Sequence, residues 1–136
     1  EPGEAAITQS TTLELTVLDT LNNGKNLAIV DSSVEAHMLD LLIYRESAKM
    51  APNGGAHEWM VCGKSCLAGD IFGEFHFEAP LVAGQRLSIQ DAAGYTMVKK
   101  NWFNGVQMPS IAIRELDGTE RLVRSFGYDD FVSNLS

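Results

Sequence analysis

A thiol and a carboxylate set four residues apart in a glycine-bounded loop are the strongest chemical signal in this chain. The loop reads Gly63-Lys64-Ser65-Cys66-Leu67-Ala68-Gly69-Asp70. Small residues let a backbone approach a ligand closely, so the segment can present Cys66 and Asp70 to a small molecule. The same spacing also suits a cysteine buried in a tight turn, since free cysteine is among the most buried residue types. A second cluster is Gly94-Tyr95-Thr96-Met97 with Phe103-Asn104-Gly105, where a tyrosine hydroxyl following a glycine can meet a phosphate or simply cap a domain edge. A third is Glu1-Pro2-Gly3-Glu4, in which a Pro-Gly turn holds two carboxylates close enough to bind an amine or a ring nitrogen. His37 and Asp40 lie three apart and would share a face of a helix.

Other chemistries fit less well. His57, Cys62, Cys66 and His76 offer two thiols and two imidazoles. Zinc sites use tighter, paired spacing, and no metal is expected. The two cysteines have no distant partners, which excludes a disulfide framework and suits a reducing, cytoplasmic setting.

The elements that must position these residues are short strands. Leu13, Leu15 and Val17 alternate with Thr12, Glu14 and Thr16, the pattern of a half-buried strand. Asn22-Asn23-Gly24 signals a turn, with a return strand over 26–31. Strands are expected again over 58–62, 71–77, 87–90, 96–100, 111–115 and 121–126, with Asp117-Gly118 as a turn. Residues 33–45 read as a short helix or as an irregular loop leading into a strand. Many short strands with frequent turns predict an all-β barrel or sandwich, and the whole of 1–136 forms a single domain.

The 136 residues are 45% hydrophobic and 21% charged, a globular composition, with a formal net charge of −8. That acidity argues against nucleic acid and suits a cationic substrate. No apolar run is long enough for a membrane helix. The opening Glu1-Pro2-Gly3-Glu4 reads as the middle of a longer chain.

In order along the chain, Glu-Pro-Gly, Gly-x-Ser-Cys-x-x-x-Asp, Gly-Tyr-Thr and Phe-Asn-Gly resemble the C-terminal β-domain of the fold-type III decarboxylases, which use pyridoxal 5′-phosphate (PLP). That group includes enzymes acting on ornithine, arginine, diaminopimelate and carboxynorspermidine. Cys66-Leu67-Ala68-Gly69-Asp70 with Phe72-Gly73, Tyr95-Thr96-Met97-Val98-Lys99, Ala36-His37-Met38 with Asp40, and Tyr128-Asp129-Asp130-Phe131 favour the carboxynorspermidine/carboxyspermidine branch. The resemblance spans nearly the whole chain.

The resemblance implies an N-terminal (β/α)8 barrel carrying PLP on a lysine, and a homodimer with the active site at its interface, into which the cysteine loop reaches. It implies that Glu1 faces the pyridine nitrogen, that Gly3 and Tyr95 contact the phosphate, and that Cys66 handles a proton after CO2 leaves. Asp70, Glu4 and Asp40 would read amines of a carboxylated polyamine. Glu4 replaces the arginine found after Glu-Pro-Gly in the ornithine and diaminopimelate enzymes, and Leu67 replaces the acid after the cysteine in the ornithine enzyme. Tyr44-Arg45-Glu46, Lys49 and Lys64 depart from the branch. None of Lys25, Lys49, Lys64, Lys99 and Lys100 stands in the context of the PLP lysine, so the chain alone is expected to be inactive. Alternatives are a diaminopimelate or other basic amino-acid decarboxylase, a catalytically silent homologue that binds or regulates, and an unrelated β module.

Overall fold

The computed structural model describes residues 2–135, and Glu1 lies outside them. A short helix α1 (Pro2–Ile7) leads into β1 (Leu13–Asn22) and β2 (Asn26–Val30), the hairpin expected from the alternation and the Asn-Gly signal. Leu13, Leu15 and Val17 point inward. A bulge between Val17 and Asp19 then shifts the register and leaves Leu18 and Leu21 exposed. After two short helices, α2 (Val34–His37) and α3 (Leu39–Tyr44), come β3 (Met50–Ala51), β4 (His57–Cys62), β5 (Ile71–Phe77) and β6 (Arg86–Ile89).

These strands form a six-stranded sheet of order β3-β6-β1-β2-β4-β5, antiparallel except for the parallel pair β2–β4. The two ends of the sheet nearly meet. The N–H of Ala48, just before β3, donates to the Phe72 carbonyl of β5 at 2.7 Å, and the N–H of Gly54, just after β3, donates to the His76 carbonyl at 2.8 Å. Asn53 Oδ1 accepts from the His76 N–H at 2.9 Å. Edge groups that would otherwise be orphaned are thereby paired, the usual reason a sheet curls into a barrel. Gly73 sits on this seam at φ +145, and a Cβ there would overlap Ser47 and the Phe75 ring. The interior is filled by Leu15, Val17, Val30, Val61, Phe72 and Ile89, each at most 1% exposed.

The rest of the chain lies outside this barrel. Residues 95–98 form a helical turn, α4 (Tyr95–Val98), where a strand was expected. Tyr, Thr and Val favour strands, but here the backbone bonds are local, Thr96 N–H to Ala93 and Val98 N–H to Gly94. A 3-10 turn follows at Phe103–Gly105. β7 (Ile111–Arg114) and β8 (Glu120–Arg124) make a separate exposed hairpin around the expected Asp117-Gly118 turn, and α5 (Tyr128–Ser133) follows near the end of the described chain. Trp102 ties this region together, its ring 6.3 Å from Phe126 and 5.8 Å from Phe131.

The segment 33–45 resolves into two helices because Met38 leaves helical geometry at φ −142. His37 therefore closes α2 while Asp40 belongs to α3, and the two do not share one helical face.

Phe72 lies at the barrel centre and beside the seam. Phe72→Ala is expected to lower unfolding free energy by about 3–5 kcal/mol, read as a fall in the urea midpoint at unchanged slope.

Candidate active-site face

The loop between β4 and β5 is built around a buried carboxylate. Asp70, 5% exposed, accepts from the Val34 N–H at 2.6 Å through Oδ1. Its Oδ2 accepts from the Ser65 N–H at 2.9 Å and from the Ser65 hydroxyl. The backbone closes the neck of the loop, Gly63 N–H to Asp70 carbonyl at 2.8 Å, and Lys64 N–H donates to Ser32 at 3.0 Å. A Cβ at Gly63 would overlap the Asp70 carboxylate, so glycine is required by close approach. A buried anion is tolerable only when its oxygens are hydrogen-bonded, and here the chain itself satisfies both. Asp70, expected to read a substrate amine, thus has its carboxylate facing inward and bonded to the loop's own donors.

Cys66 sits beyond this clamp and is exposed. Its N–H donates to Asn104 Oδ1 at 2.7 Å. The burial alternative for Cys66 is thus not what the fold adopts. Cys62, half-buried at the end of β4, has its thiol pKa raised by burial and by the nearby Asp70 charge. Among the described residues no group of three or more His, Cys, Asp and Glu side chains is placed to hold a metal ion.

Behind the loop lies His37, 3% exposed, with Nδ1 2.7 Å from the Ser32 hydroxyl. Burial lowers its pKa to about 4, helped by the charges of Lys100 and Lys64 and opposed by Asp31 and Asp70. The ring is therefore neutral at pH 7.

Helix α2 also anchors the segment that carries Tyr95. Asn101 donates its N–H to the Ala36 carbonyl at 2.8 Å and its side-chain amide to the Glu35 carbonyl at 3.1 Å. Tyr95 opens α4 and is 44% exposed. Asp40 on α3 pairs with Lys99 at 2.7 Å, and Lys99 Nζ lies 4.9 Å from the centre of the Tyr95 ring. The bond to Asp40 raises the Lys99 pKa. Asp40 is thus held by an internal ammonium.

Gly3 and Glu4 occupy exposed α1, whose Ile7 abuts Gly94, the residue before Tyr95. Glu4 lines a small cleft with Ile7, Thr8, Lys49, Asp91 and Ala93. Glu1, expected to face the pyridine nitrogen, lies outside the described residues. Cys66, Tyr95 and Glu4 are all exposed. Lysines 25, 49 and 99 are ion-paired with Glu74, Asp91 and Asp40, and Lys100 lies over the Phe126 ring. Asn104, Ser65 and Gly63 were legible only as motif members. What they hold depends on contacts through space.

No protein-family model matches the chain. It is 65% identical over 136 residues, all of its length, to the carboxynorspermidine/carboxyspermidine decarboxylase of Herminiimonas arsenicoxydans, of which it covers 37%. It is 40% identical over 140 aligned residues to the carboxyaminopropylagmatine decarboxylase of Synechocystis sp., covering 99% of this chain and 36% of that protein. The crystal structure of Campylobacter jejuni carboxynorspermidine decarboxylase complexed with norspermidine superposes on 96% of the chain and 40% of its own, with a TM-score of 0.90 and 29% identity. The chain thus spans about a third of the length of these relatives.

The fold is the β-domain of the fold-type III decarboxylases. Within that class the chain is homologous, over its whole length, to part of the carboxynorspermidine/carboxyspermidine decarboxylases.

The neutral, buried His37 has a consequence for stability. Between pH 6.5 and about 4 the unfolded chain binds a proton at His37 that the folded chain does not, so stability falls as pH drops through that window. The loss approaches about 3 kcal/mol at the acid end. His37→Gln is expected to flatten this part of the stability–pH profile, measured by urea unfolding at half-unit steps. Thiol labelling at pH 8 followed by peptide mass mapping is expected to modify Cys66 well before Cys62.

Proposed function

We propose that this chain is the C-terminal domain of a two-domain, PLP-dependent enzyme that decarboxylates carboxynorspermidine or carboxyspermidine to norspermidine or spermidine. The observation that carries the reading is the 65% identity to such a decarboxylase across every residue of the chain. The same match supports an N-terminal (β/α)8 barrel on the same polypeptide, which would supply the lysine that this chain lacks. The exposed Cys66 and the open face around Tyr95 support a homodimer whose active site forms between subunits. Two free cysteines suit a reducing cytoplasm, and no helix among the described residues is long and apolar enough to cross a membrane.

PLP, when bound, supplies an electron-accepting ring that takes up the electron pair left as CO2 departs. The Tyr95 hydroxyl and the Gly3 backbone would hold its phosphate, and Glu1, outside the described residues, would face its ring nitrogen. The Cys66 thiol delivers a proton to the carbon that lost CO2. Glu4 and Asp40 read the cationic amines of the substrate. For Asp40 this is an exchange, because Lys99 occupies the carboxylate and must yield to a substrate ammonium. Asp70 acts one step back, fixing the loop that presents Cys66.

A second reading, decarboxylation of carboxyaminopropylagmatine, is favoured by the 40% identity to the Synechocystis enzyme. It too needs acids facing a cationic chain.

The test is CO2 release by the complete enzyme with PLP, offered carboxynorspermidine, carboxyspermidine, carboxyaminopropylagmatine, diaminopimelate and ornithine separately. Turnover confined to the first two is expected, with none from the isolated 136-residue chain. Preference for carboxyaminopropylagmatine would select the second reading. Preference for diaminopimelate or ornithine would remove the roles given to Glu4 and Asp40.

A further inference from the structure

We propose that Asn104 is a positioning residue for the Cys66 thiol, an inference that rests on the reading of Cys66 as the proton donor. The Asn104 amide oxygen accepts the Cys66 N–H at 2.7 Å, joining residues 38 apart in the chain. That bond orients the peptide plane entering Cys66 and with it the Cα–Cβ direction. The thiol is left only its staggered χ1 positions.

The acceptor is itself held. Asn104 lies in the left-handed region at φ 57, ψ 11, a conformation asparagine tolerates better than most residues. The turn around it is closed by Asn101 Oδ1 accepting from the Phe103 N–H at 2.8 Å and by the Phe103 carbonyl accepting from the Val106 N–H at 3.1 Å. The buried side chains of Val106 and Met108 follow it. Asn101 in turn is bonded to Ala36 of α2.

Cys66 therefore has two braces that start from one helix. The first runs from Val34 through Asp70 to Ser65, and the second from Ala36 through Asn101 and the 3-10 turn to the Cys66 N–H. The first fixes where the loop stands. The second fixes which way its cysteine points. The second also lies on the segment that carries Tyr95, so the tyrosine and the thiol are held by one stretch of chain. Residue 104 has to meet two requirements at once: a left-handed backbone and a short side-chain acceptor. Asparagine meets both, and aspartate is its nearest substitute.

The test uses the complete enzyme and four variants: Asn104→Gly, which keeps the left-handed backbone free of strain but removes the acceptor; Asn104→Asp, which keeps the acceptor; Cys66→Ala; and the double variant Cys66→Ala/Asn104→Gly. Asn104→Gly is expected to lower kcat about tenfold or more with KM within about twofold, since a misdirected thiol affects the chemical step and not substrate capture. Asn104→Asp is expected to stay within about threefold of the parent. In the Cys66→Ala background, Asn104→Gly should cost almost nothing more, because its effect is spent through the thiol. Amide hydrogen exchange on the cofactor-free enzyme gives a readout independent of turnover. The Cys66 amide in Asn104→Gly should exchange about tenfold faster while β4 and β5 stay as protected as in the parent.

If Cys66→Ala is as active as the parent, the proton-donor reading falls and this role falls with it. If Cys66→Ala is impaired while Asn104→Gly keeps its kcat, the Asn104 role alone is overturned. Loss of kcat in Asn104→Asp equal to that in Asn104→Gly, or an equal further loss in the double variant, overturns it as well.

Discussion

The buried carboxylate of Asp70 is the interaction on which the functional face depends. It sits at the entrance to β5 with one oxygen on the Val34 N–H of α2 and the other on the Ser65 backbone and hydroxyl. An ionised carboxylate removed from water must recover its hydrogen bonds from the protein, and removing one partner of such a group costs more than the bond itself contributes. Ser65, Gly63 and the start of α2 are therefore held to one arrangement. The loop that ends in Cys66 inherits its place from that constraint, and so does the chain hung from α2 through Asn101. A proton donor must lie within hydrogen-bond reach of its target. On the proposed function, a carboxylate committed to rigidity in this way serves the chemistry without touching the substrate.

The barrel makes this arrangement affordable. Its seam, where Ala48 meets Phe72 and Gly54 meets His76, leaves few sheet edges unpaired, and the packed interior beneath β4 and β5 supports the cysteine loop at both ends. Outside the barrel the molecule has a different character. The hairpin β7–β8 shows no buried residue, and Leu116 and Leu122 stand in solvent. An isolated two-stranded hairpin has little stability of its own. Here its last residue, Arg124, lies over Phe126, which in turn meets Trp102 and carries Lys100 over its ring. The chain thus combines a packed barrel with an outlying region whose apolar groups are only partly covered.

The parts of this design legible in the sequence are those set by local pattern. The period-two alternation from Leu13 to Val17, the Asn23-Gly24 turn and the Asp117-Gly118 turn each determine structure within a few residues, and each forms as read. The segment from Tyr95 to Val98 has the composition of a strand yet forms a helical turn, because its N–H groups find acceptors at Ala93 and Gly94. The break at Met38, which separates His37 from Asp40, has no marker of its own in the residue types. Among the site residues, the motif order named Cys66 and Tyr95 as candidates. It could not indicate that Asp70 turns inward, since a carboxylate four residues after a cysteine suits a ligand or a backbone clamp equally. The choice is made by Val34, 36 residues earlier in the chain.

The Asp40–Lys99 pair shows how the same groups can serve structure and selection at once. Lys99, just after α4, reaches Asp40 of α3 at 2.7 Å in a partly exposed setting. Exchanging Lys99 for another ammonium leaves the Asp40 carboxylate paired, so the net cost of the exchange is small. A ligand with a single amine gains about what Lys99 already provides and is not favoured. On the proposed function, a ligand with several amines replaces Lys99 at Asp40 and sets a second amine on another acid, and two such contacts together bind more tightly than either alone. The overall charge of −8 acts in the same direction by drawing polycations toward the surface before any contact forms. On the proposed function, selectivity for multiply charged chains would come from separate acids, of which Asp40 is already paired with Lys99.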